Sequence, residues 1–449
     1  MKTIFEPAKP YFKLLGHQKS QAGATYRLMN FVVQAEVDDG LLLLHNMTKE
    51  MVLLSQEERQ ALEQSPTDLP ELISHWFLVP EAHDDCKLSQ QLTHVARLMA
   101  VPQTGITGYT VMTTSDCNAR CFYCYELGQA RRPMTEETAL QTADYIISHC
   151  GGEAVSIEWF GGEPLYNKSV IQLICRQLKE AGVNYTSTMI SNGYLLDEDT
   201  IREARDQWNL KEVQITIDGT EQTYNRVKAY IYQGVNAYEQ VMANIGHLLA
   251  ADISVSIRMN IDMHNADDLE RLAAELHERF EGQPRLSAYV HLLFEDKAKR
   301  SGVSHDDKRR QLLERQRQIE EKLAGWGLFR SRHFSPSIKT GHCMADNDGS
   351  VVIQPDGYIT KCEHHTDSHH VGHINSGELD AGMLAWFKEK GTMLGAFCRQ
   401  CVKYPDCMFL LSCPNYEECY PEMPRIYAHK LSEEMKTMYK AYLEKGTET

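Results

Sequence analysis

The stretch Cys117-Asn118-Ala119-Arg120-Cys121-Phe122-Tyr123-Cys124 decides the fold, because it places three cysteines at C-x3-C-x2-C directly after an apolar run at 109–112. Each iron of a [4Fe-4S] cluster normally takes one thiolate, so three thiolates on one short loop hold three irons and leave the fourth open. An open iron can bind a small ligand through its amine and carboxylate. The same spacing is also compatible with a zinc knuckle or with three buried free cysteines.

Length and composition indicate a large globular protein of two or three domains. The chain has 449 residues, 42% of them apolar, and a net charge of −16 at pH 7. The charge disfavours nucleic acid or an anionic membrane as a partner, and no apolar run is long enough to predict a transmembrane helix. Thirteen cysteines in a chain without a signal-peptide pattern indicate metal or redox chemistry in a reducing cytoplasm rather than disulfides.

Residues 1–100 are predicted to form a small α+β domain. Strand patterns at 24–37, 41–44 and 51–54 precede helical patterns that begin at the capping box Ser55-x-x-Glu58 and continue at 69–76 and 88–99. This order is similar to that of the precursor-recognition domains found on enzymes that modify ribosomally made peptides. In those domains a leader peptide adds a strand to a free sheet edge. A purely structural N-terminal domain fits the same order.

Strands and helices alternate between residues 107 and 295. Helix patterns at 135–149, 166–181, 197–207, 221–249 (broken near Gly234) and 266–280 separate strand patterns at 108–114, 154–160, 185–190, 212–218, 253–260 and 286–294. Such alternation implies parallel strands with right-handed crossovers, and six units predict an α/β fold with a partial (β/α)6 barrel. Functional residues of such barrels lie at the C-terminal ends of the strands, where the three-cysteine loop falls.

The rest of the chain divides into three predicted segments. Residues 296–340 form a polar bridge with a helical pattern at 308–323, and residues 426–449 contain a C-terminal helix. Residues 341–425 are rich in Cys, His, Gly and Pro and show little periodicity. Such a loop-rich segment cannot bury enough apolar surface to fold alone. It therefore needs internal crosslinks, and bound metal clusters would provide them.

A second motif, Gly161-Gly162-Glu163-Pro164, follows the second predicted strand. The two glycines let backbone approach a ligand closely, and Glu163 can accept a hydrogen bond from an ammonium group. The motif alone also fits an ordinary tight turn. Together with the cysteine loop it resembles the radical S-adenosylmethionine (SAM) superfamily, in which the open iron binds the methionine end of SAM. The resemblance implies cleavage of SAM to a 5'-deoxyadenosyl radical that takes a hydrogen atom from the substrate.

The resemblance implies further SAM-binding positions near the strand ends. They are an aromatic residue beside the adenine, a hydroxyl that reaches the ribose, a second hydroxyl where the family usually has serine, and basic residues for the carboxylate. One basic position, Lys228, holds lysine where the family has arginine. A lysine cannot make the two parallel hydrogen bonds that a guanidinium makes with a carboxylate. Each of these side chains could equally be a structural polar group. In this sequence the aromatic residue is Tyr123, the two hydroxyls belong to Ser191 and Thr216, and the basic residues are Arg226, Lys228 and Arg258.

A second group of cysteines resembles the SPASM extension, whose cysteines hold two auxiliary [4Fe-4S] clusters. The resemblance assigns Cys343, Cys362 and Cys413 to cluster I, and Cys398, Cys401, Cys407 and Cys419 to cluster II. Seven thiolates are one short of eight, so cluster I is expected to have an open iron or a ligand such as His342 or Asp346. Five residues separate Cys407 from Cys413 where the family has three, which leaves the partition open, and zinc-ribbon sites are the competing interpretation. Cys86, Cys150 and Cys175 lie outside both patterns.

The combined resemblance implies a cytoplasmic radical SAM–SPASM enzyme with three [4Fe-4S] clusters. Its expected partners are a ribosomally made, Cys-containing precursor peptide and a flavodoxin or ferredoxin-type electron donor. Thioether crosslinking is the expected chemistry, as in sactipeptide and ranthipeptide maturases. Formylglycine formation as in anaerobic sulfatase maturation, other peptide crosslinking, epimerisation, and a non-catalytic electron carrier are the alternatives. Glu363 stands where the sulfatase-maturing branch has a carboxylate base, although a hydrogen-bonding role fits equally.

Overall fold

A computed structural model of the chain describes residues 1–7, 13–64, 69–99, 105–293, 303–329, 343–365, 368–388, 397–404, 407 and 423–446. Two compact units make up the chain. Unit 1 comprises Met1–Pro102, Ser331–Cys343 and Glu389–Thr449, whereas unit 2 comprises Gln103–Arg330 and Met344–Lys388. Unit 1 therefore combines the N-terminal and C-terminal parts of the chain.

Unit 1 contains a four-stranded antiparallel sheet and a separate strand pair. The N-terminal elements are β1 (Lys2–Phe5), β2 (Tyr26–Leu28), β3 (Val32–Val37), β4 (Gly40–His45), β5 (Glu50–Leu54), α1 (Gln56–Gln64), α2 (Pro70–Ser74), β6 (Leu78–Pro80) and α3 (Asp85–Met99). The sheet has the order β1-β5-β4-β3, and β2 pairs with β6. The strand predicted at 24–37 is two strands, β2 and β3, which belong to different sheets. The prediction also omitted β1 and β6, which are only four and three residues long.

The sheet of unit 1 is buried on both faces, which explains the unbroken apolar run of β4. Successive side chains of a strand point to opposite faces. Leu41 and Leu43 belong to one apolar cluster, and Leu42 and Leu44 belong to another. The second cluster is completed by residues of the C-terminal helix, Met423–Gly446.

The predicted capping box at the start of α1 is confirmed. The Ser55 amide donates to Glu58 Oε2 at 2.9 Å, and the Glu58 amide donates to Ser55 Oγ at 3.2 Å. Two of the amides that a helix N-terminus leaves unpaired are thereby satisfied.

Unit 2 contains the predicted partial barrel. Six parallel strands lie side by side in chain order: β7 (Gly108–Thr114), β8 (Val155–Gly161), β9 (Tyr185–Ser191), β10 (Leu210–Thr216), β11 (Ser254–Ile261) and β12 (Leu286–Leu292). The helices are α4 (Glu136–His149), α5 (Lys168–Glu180), α6 (Glu198–Gln207), α7 (Glu221–Lys228), α8 (Ala237–Ala250), α9 (Ala266–Arg279) and α10 (Val303–Gly325). The predicted break near Gly234 is confirmed. Ala229, which follows the last residue of α7, has a left-handed conformation, and α8 starts after Asn236.

Three short strands extend the barrel sheet beyond β7. They are β13 (Ser350–Ile353), parallel to β7, and β14 (Tyr358–Thr360) and β15 (Gly372–His373), which are antiparallel; helix α11 (Ala381–Lys388) follows. The sequence analysis expected only loops here, because strands of two to four residues carry too little alternation to be read. No helix within the described ranges is both long and apolar enough to cross a membrane.

Candidate functional site

The three-cysteine loop leaves the C-terminal end of β7 and is held by backbone contacts. Asp116 accepts a hydrogen bond from the Cys117 amide at 2.8 Å. The Arg120 amide donates to the Lys228 carbonyl at 2.7 Å, and the Ile231 amide donates to the Asn118 carbonyl at 2.9 Å. The loop is thereby attached to the C-terminal end of α7 and to the segment that follows it.

The sulfur of Cys117 lies in a polar environment. It accepts from the Ala119 amide at 3.3 Å and from the Asn192 side-chain amide at 3.8 Å. Burial, followed by nearby Glu163, raises the pKa of the Cys117 thiol to about 12. A thiol with so high a pKa stays protonated near neutral pH unless a positive charge lies beside it, and a coordinated metal would supply that charge.

The two glycines of the second motif pack against the cysteine loop. A Cβ added at Gly161 would lie 2.1 Å from the Thr114 carbonyl oxygen, and one at Gly162 would lie 2.4 Å from the Asp116 carbonyl oxygen. The Gly162 and Glu163 amides each donate at 3.0 Å, to the carbonyls of Thr114 and Asp116. The glycines therefore bring the end of β8 onto the backbone that precedes Cys117.

Glu163 joins three loops at the barrel mouth. Its carboxylate accepts from Ser191 Oγ at 2.9 Å, the Asn192 amide at 2.8 Å and the Leu165 amide at 3.2 Å. Burial raises the pKa of Glu163 to about 7, although these donors act in the opposite direction. The Ser191 hydroxyl thus faces Glu163. The expected contacts of Ser191 with a ribose and of Glu163 with an ammonium group stay predictions.

Tyr123, Asp218 and Lys228 form a buried polar network beside the cysteine loop. Asp218 Oδ2 accepts from Tyr123 Oη at 2.5 Å and lies 3.0 Å from Lys228 Nζ, which also donates to Tyr123 Oη at 3.0 Å. Asn260 donates to the other carboxylate oxygen at 3.0 Å. Despite the cost of burial, Asp218 raises the pKa of Lys228 well above its usual value. The carboxylate that Lys228 binds in this structure is therefore one of the chain's own.

The remaining predicted SAM-binding residues differ in placement. Thr216 ends β10 and pairs with Arg258 of β11 across the sheet. Arg258 donates to Asn260 Oδ1 at 2.9 Å and lies 3.1 Å from His291 Nδ1. Arg226 is exposed on α7, whereas Lys228 of the same helix is buried. Thr216 and Arg258 are thus in the barrel sheet, and Arg226 is on the outside.

A second set of polar side chains includes residues that the sequence analysis missed. Glu158 of β8 accepts from Thr110 Oγ1 at 3.4 Å, and burial, followed by Glu363, raises its pKa to about 7. Burial also raises the pKa of Glu126 to about 7. The His364 ring lies 4.5 Å from the ring of Tyr125, the residue after Cys124. The segment Cys362–His364 of unit 2 therefore lies beside the cysteine loop. Only Glu363, through its place after Cys362, carried a sequence signal.

The other predicted cysteine ligands are divided between the units. Cys362 belongs to unit 2, whereas Cys343, Cys398, Cys401 and Cys407 belong to unit 1. Cys413 and Cys419 lie outside the described residues, as does His342. In the described part of the chain, no three Cys, His, Asp or Glu side chains are grouped closely enough for a single metal ion.

The donor set of the cysteine loop fits a [4Fe-4S] cluster. Three partly exposed thiols come from one loop, and two amide groups donate hydrogen bonds to the Cys117 sulfur. Hydrogen bonds to sulfur are one of the means by which proteins tune such clusters. Cys117, Cys121 and Cys124 are the residues that would hold this group.

Comparisons with known proteins agree with this interpretation of the site. Residues 111–276 match the family model described as the Radical SAM superfamily. The probable GTP 3',8-cyclase of Pyrococcus horikoshii is 26% identical over 63% of this chain and 92% of its own length. The serine-type anaerobic sulfatase-maturating enzyme of Klebsiella aerogenes is 22% identical over 60% of this chain and 68% of its own length.

The fold also has solved counterparts. The structure of anSMEcpe with bound AdoMet and the Cp18Cys peptide superposes with a TM-score of 0.54 and 14% identity, covering 76% of this chain and 100% of that one. The matched family segment contains the three-cysteine loop, the glycine motif, the end of β7 and the complete strands β8 to β11. Residues 111–276 therefore form a radical SAM domain.

Proposed function

We propose that this chain is a radical SAM enzyme that modifies a ribosomally made precursor peptide. The observation that carries the proposal is the direct attachment of the glycine motif to the cysteine loop through the Gly162 and Glu163 amides. Two similar proteins, a sulfatase-maturating enzyme and the peptide-bound anSMEcpe, support a peptide as the substrate class. The cluster, when bound, supplies the electron that cleaves SAM and produces the hydrogen-abstracting radical.

The chain's own residues position the reaction. Cys117, Cys121 and Cys124 hold the cluster, and Asn192 donates to both Cys117 Sγ and Asn118 Oδ1. These contacts order the loop before SAM arrives, and such preorganisation lowers the cost of reaching the reactive geometry. Glu363 provides a carboxylate beside Tyr125, and Glu158 lies close enough to feel its charge. Either carboxylate could accept the proton released from the substrate.

Thioether crosslinking is the proposed chemistry. The substrate loses one hydrogen atom from carbon to the radical, and its cysteine loses a proton as the carbon–sulfur bond forms. One electron remains, and the C-terminal cysteines would hold the auxiliary iron–sulfur cluster that could accept it. A flavodoxin or ferredoxin-type protein is the proposed donor of the electron that starts the cycle.

Unit 1 is proposed to bind the leader of the precursor peptide. Its sheet ends in β3 on one side, and six residues of β3 pair regularly with β4. A peptide can add to such an edge through main-chain hydrogen bonds.

GTP cyclisation is the second candidate, because the Pyrococcus relative matches this chain over 92% of its own length. The test incubates the reconstituted protein anaerobically with SAM, a reductant, and either GTP or a candidate precursor, a short Cys-containing peptide chosen from the reading frames that flank the gene. Thioether formation removes two hydrogens from the peptide and leaves its cysteine unreactive to iodoacetamide. Formylglycine formation replaces the thiol by an aldehyde. Consumption of GTP with an unchanged peptide would establish the second candidate instead, and absence of SAM cleavage under every condition contradicts both.

A further inference from the structure

Cys86 lies outside both cysteine motifs, yet the fold of unit 1 brings it to one of them. Its side chain is 2% exposed, and its Sγ lies 4.0 Å from the carbonyl oxygen of Cys398, a residue 312 positions away in the sequence. Cys398 and Cys401 pack against the same apolar cluster that contains Cys86 and Tyr404. The thiol therefore faces the Cys398-x2-Cys401 turn.

Polar contacts hold this turn against the N-terminal part of unit 1. Asn46 donates to the Val402 carbonyl at 2.6 Å in a buried contact, and Asn30 donates to the Arg399 carbonyl at 2.6 Å. Arg399 also pairs at 3.2 Å with Asp84, which directly precedes α3. Because Cys86 is the second residue of α3, these bonds fix its distance from the turn.

The C-terminal cysteines are gathered by consecutive turns. The Cys401 amide donates to the Cys398 carbonyl at 3.2 Å, the Tyr404 amide to the Cys401 carbonyl at 3.0 Å, and the Cys407 amide to the Tyr404 carbonyl at 3.2 Å. These turns keep the backbone of Cys398, Cys401 and Cys407 on one short folded segment.

We propose that Cys86 is a thiolate ligand of the iron–sulfur cluster held by Cys398, Cys401 and Cys407. The inference rests on the auxiliary clusters of the proposed function. With Cys86, the cysteines available to two auxiliary clusters number eight, since seven lie between Cys343 and Cys419. If Cys86 replaces Cys419 as the fourth ligand of this cluster, Cys419 becomes available to the other cluster. Each iron of both clusters can then take a thiolate, and no open auxiliary iron is required. Cluster assembly also ties the N-terminal part of unit 1 to its C-terminal segment.

The test uses the full chain with Cys117, Cys121 and Cys124 replaced by Ala, so that only auxiliary clusters remain. This background protein is expected to carry about eight irons after anaerobic reconstitution. Adding Cys86→Ala should lower the count to about four, or leave a cluster that has lost one iron and gives the EPR signal of an oxidised three-iron centre. Cys86→Ser should retain more iron and shift the EPR signal of the reduced cluster, because an oxygen ligand replaces sulfur. The control is Cys175→Ala, which removes a buried thiol of the barrel helix α5 and should change neither quantity.

The outcomes separate this inference from the proposed function. An unchanged iron count and EPR spectrum in both Cys86 variants would show a thiol that only packs, and would overturn the inference while the auxiliary clusters stand. A background protein without auxiliary iron overturns the clusters and the inference together. A changed circular dichroism spectrum in Cys86→Ala would mean that this variant is misfolded. The EPR signal of Cys86→Ser then distinguishes a ligand from a packing residue, because only a ligand changes the ligand field of iron.

Discussion

Lys228 Nζ lies 3.0 Å from the Asp218 carboxylate, and the side chains of both residues are almost completely buried, at 3% and 2% exposed. A buried charge without a partner is far more costly than a buried pair. This pair therefore stabilises the barrel mouth, and it orients Tyr123, whose hydroxyl contacts both members.

Lys228→Met is predicted to destabilise the protein, because it leaves Asp218 buried and unpaired. The expected cost is roughly 3–5 kcal/mol, the range measured when one member of a buried ion pair is removed. The matched control is Arg226→Met on the same helix, where the side chain is exposed and the expected change is within about 0.5 kcal/mol. Apparent melting temperatures of the anaerobically purified variants measure both effects. Equal melting temperatures combined with weaker SAM binding by Lys228→Met would show that the lysine binds SAM rather than Asp218.

Gly162→Ala is predicted to displace the cysteine loop. The new methyl group would lie 2.4 Å from the Asp116 carbonyl oxygen, which is backbone and cannot rotate away. We expect loss of most of the iron held by Cys117, Cys121 and Cys124. This iron is obtained by subtracting the auxiliary iron, which is counted in the variant with all three cysteines replaced by Ala, from the total iron of Gly162→Ala. Gly246→Ala is the control, because this glycine lies within α8 and has open space at its Cβ position; it should stabilise by about 0.5–1 kcal/mol. Full retention of the cluster iron in Gly162→Ala contradicts the packing role of the glycine.

The barrel could be predicted from the sequence because each of its strands is at least seven residues long and alternates with a helix. The position of Cys117 followed from the rule that places sites at strand ends. The Asp218–Lys228 pair could not be found in this way, because it depends on how α7 lies over the end of β10. The proximity of Cys86 to Cys398 depends on the packing of segments 312 residues apart, which no local pattern records.

Glu158 is predicted to make stability fall as the pH rises. Burial, followed by Glu363, raises its pKa to about 7 in the folded protein, whereas an unfolded glutamate has a pKa of about 4.3. Its contribution to stability is therefore complete below about pH 4 and is lost as the pH passes through about 7. Glu158→Gln imitates the protonated form, so it should match wild type near pH 4 and be more stable by about 1–3 kcal/mol near pH 8.

The control for Glu158 is Glu153→Gln, in the exposed turn before β8. Melting temperatures of wild type and both variants across this pH range measure the effect. Parallel curves for wild type and Glu158→Gln would show that Glu158 is ionised throughout the range.

Binding of the precursor peptide is predicted to protect β3 from hydrogen exchange. The sheet of unit 1 has two edges, β1 and β3. β1 has four residues and an irregular register between Thr3 and Phe5, whereas β3 has six residues in continuous register with β4. Short and irregular edges resist strand addition, and long regular ones permit it. The Val32 amide already donates to the Met29 carbonyl at 3.0 Å. The remaining amides of β3 that point away from β4, about two in number, should therefore slow on binding.

The experiment compares hydrogen exchange in three samples: with the full precursor, with a core peptide that lacks the leader, and without peptide. It uses the intact protein, because unit 1 also includes C-terminal residues. The full precursor should slow exchange in Val32–Val37 by at least about tenfold, and the leaderless peptide should not. The interior strand β4 serves as the internal reference, since both of its sides are already paired and its exchange should change little. Protection confined to β1, or unchanged exchange in β3 at saturating precursor, would show that the leader does not add to this edge, and peptide recognition would then have to lie in the barrel.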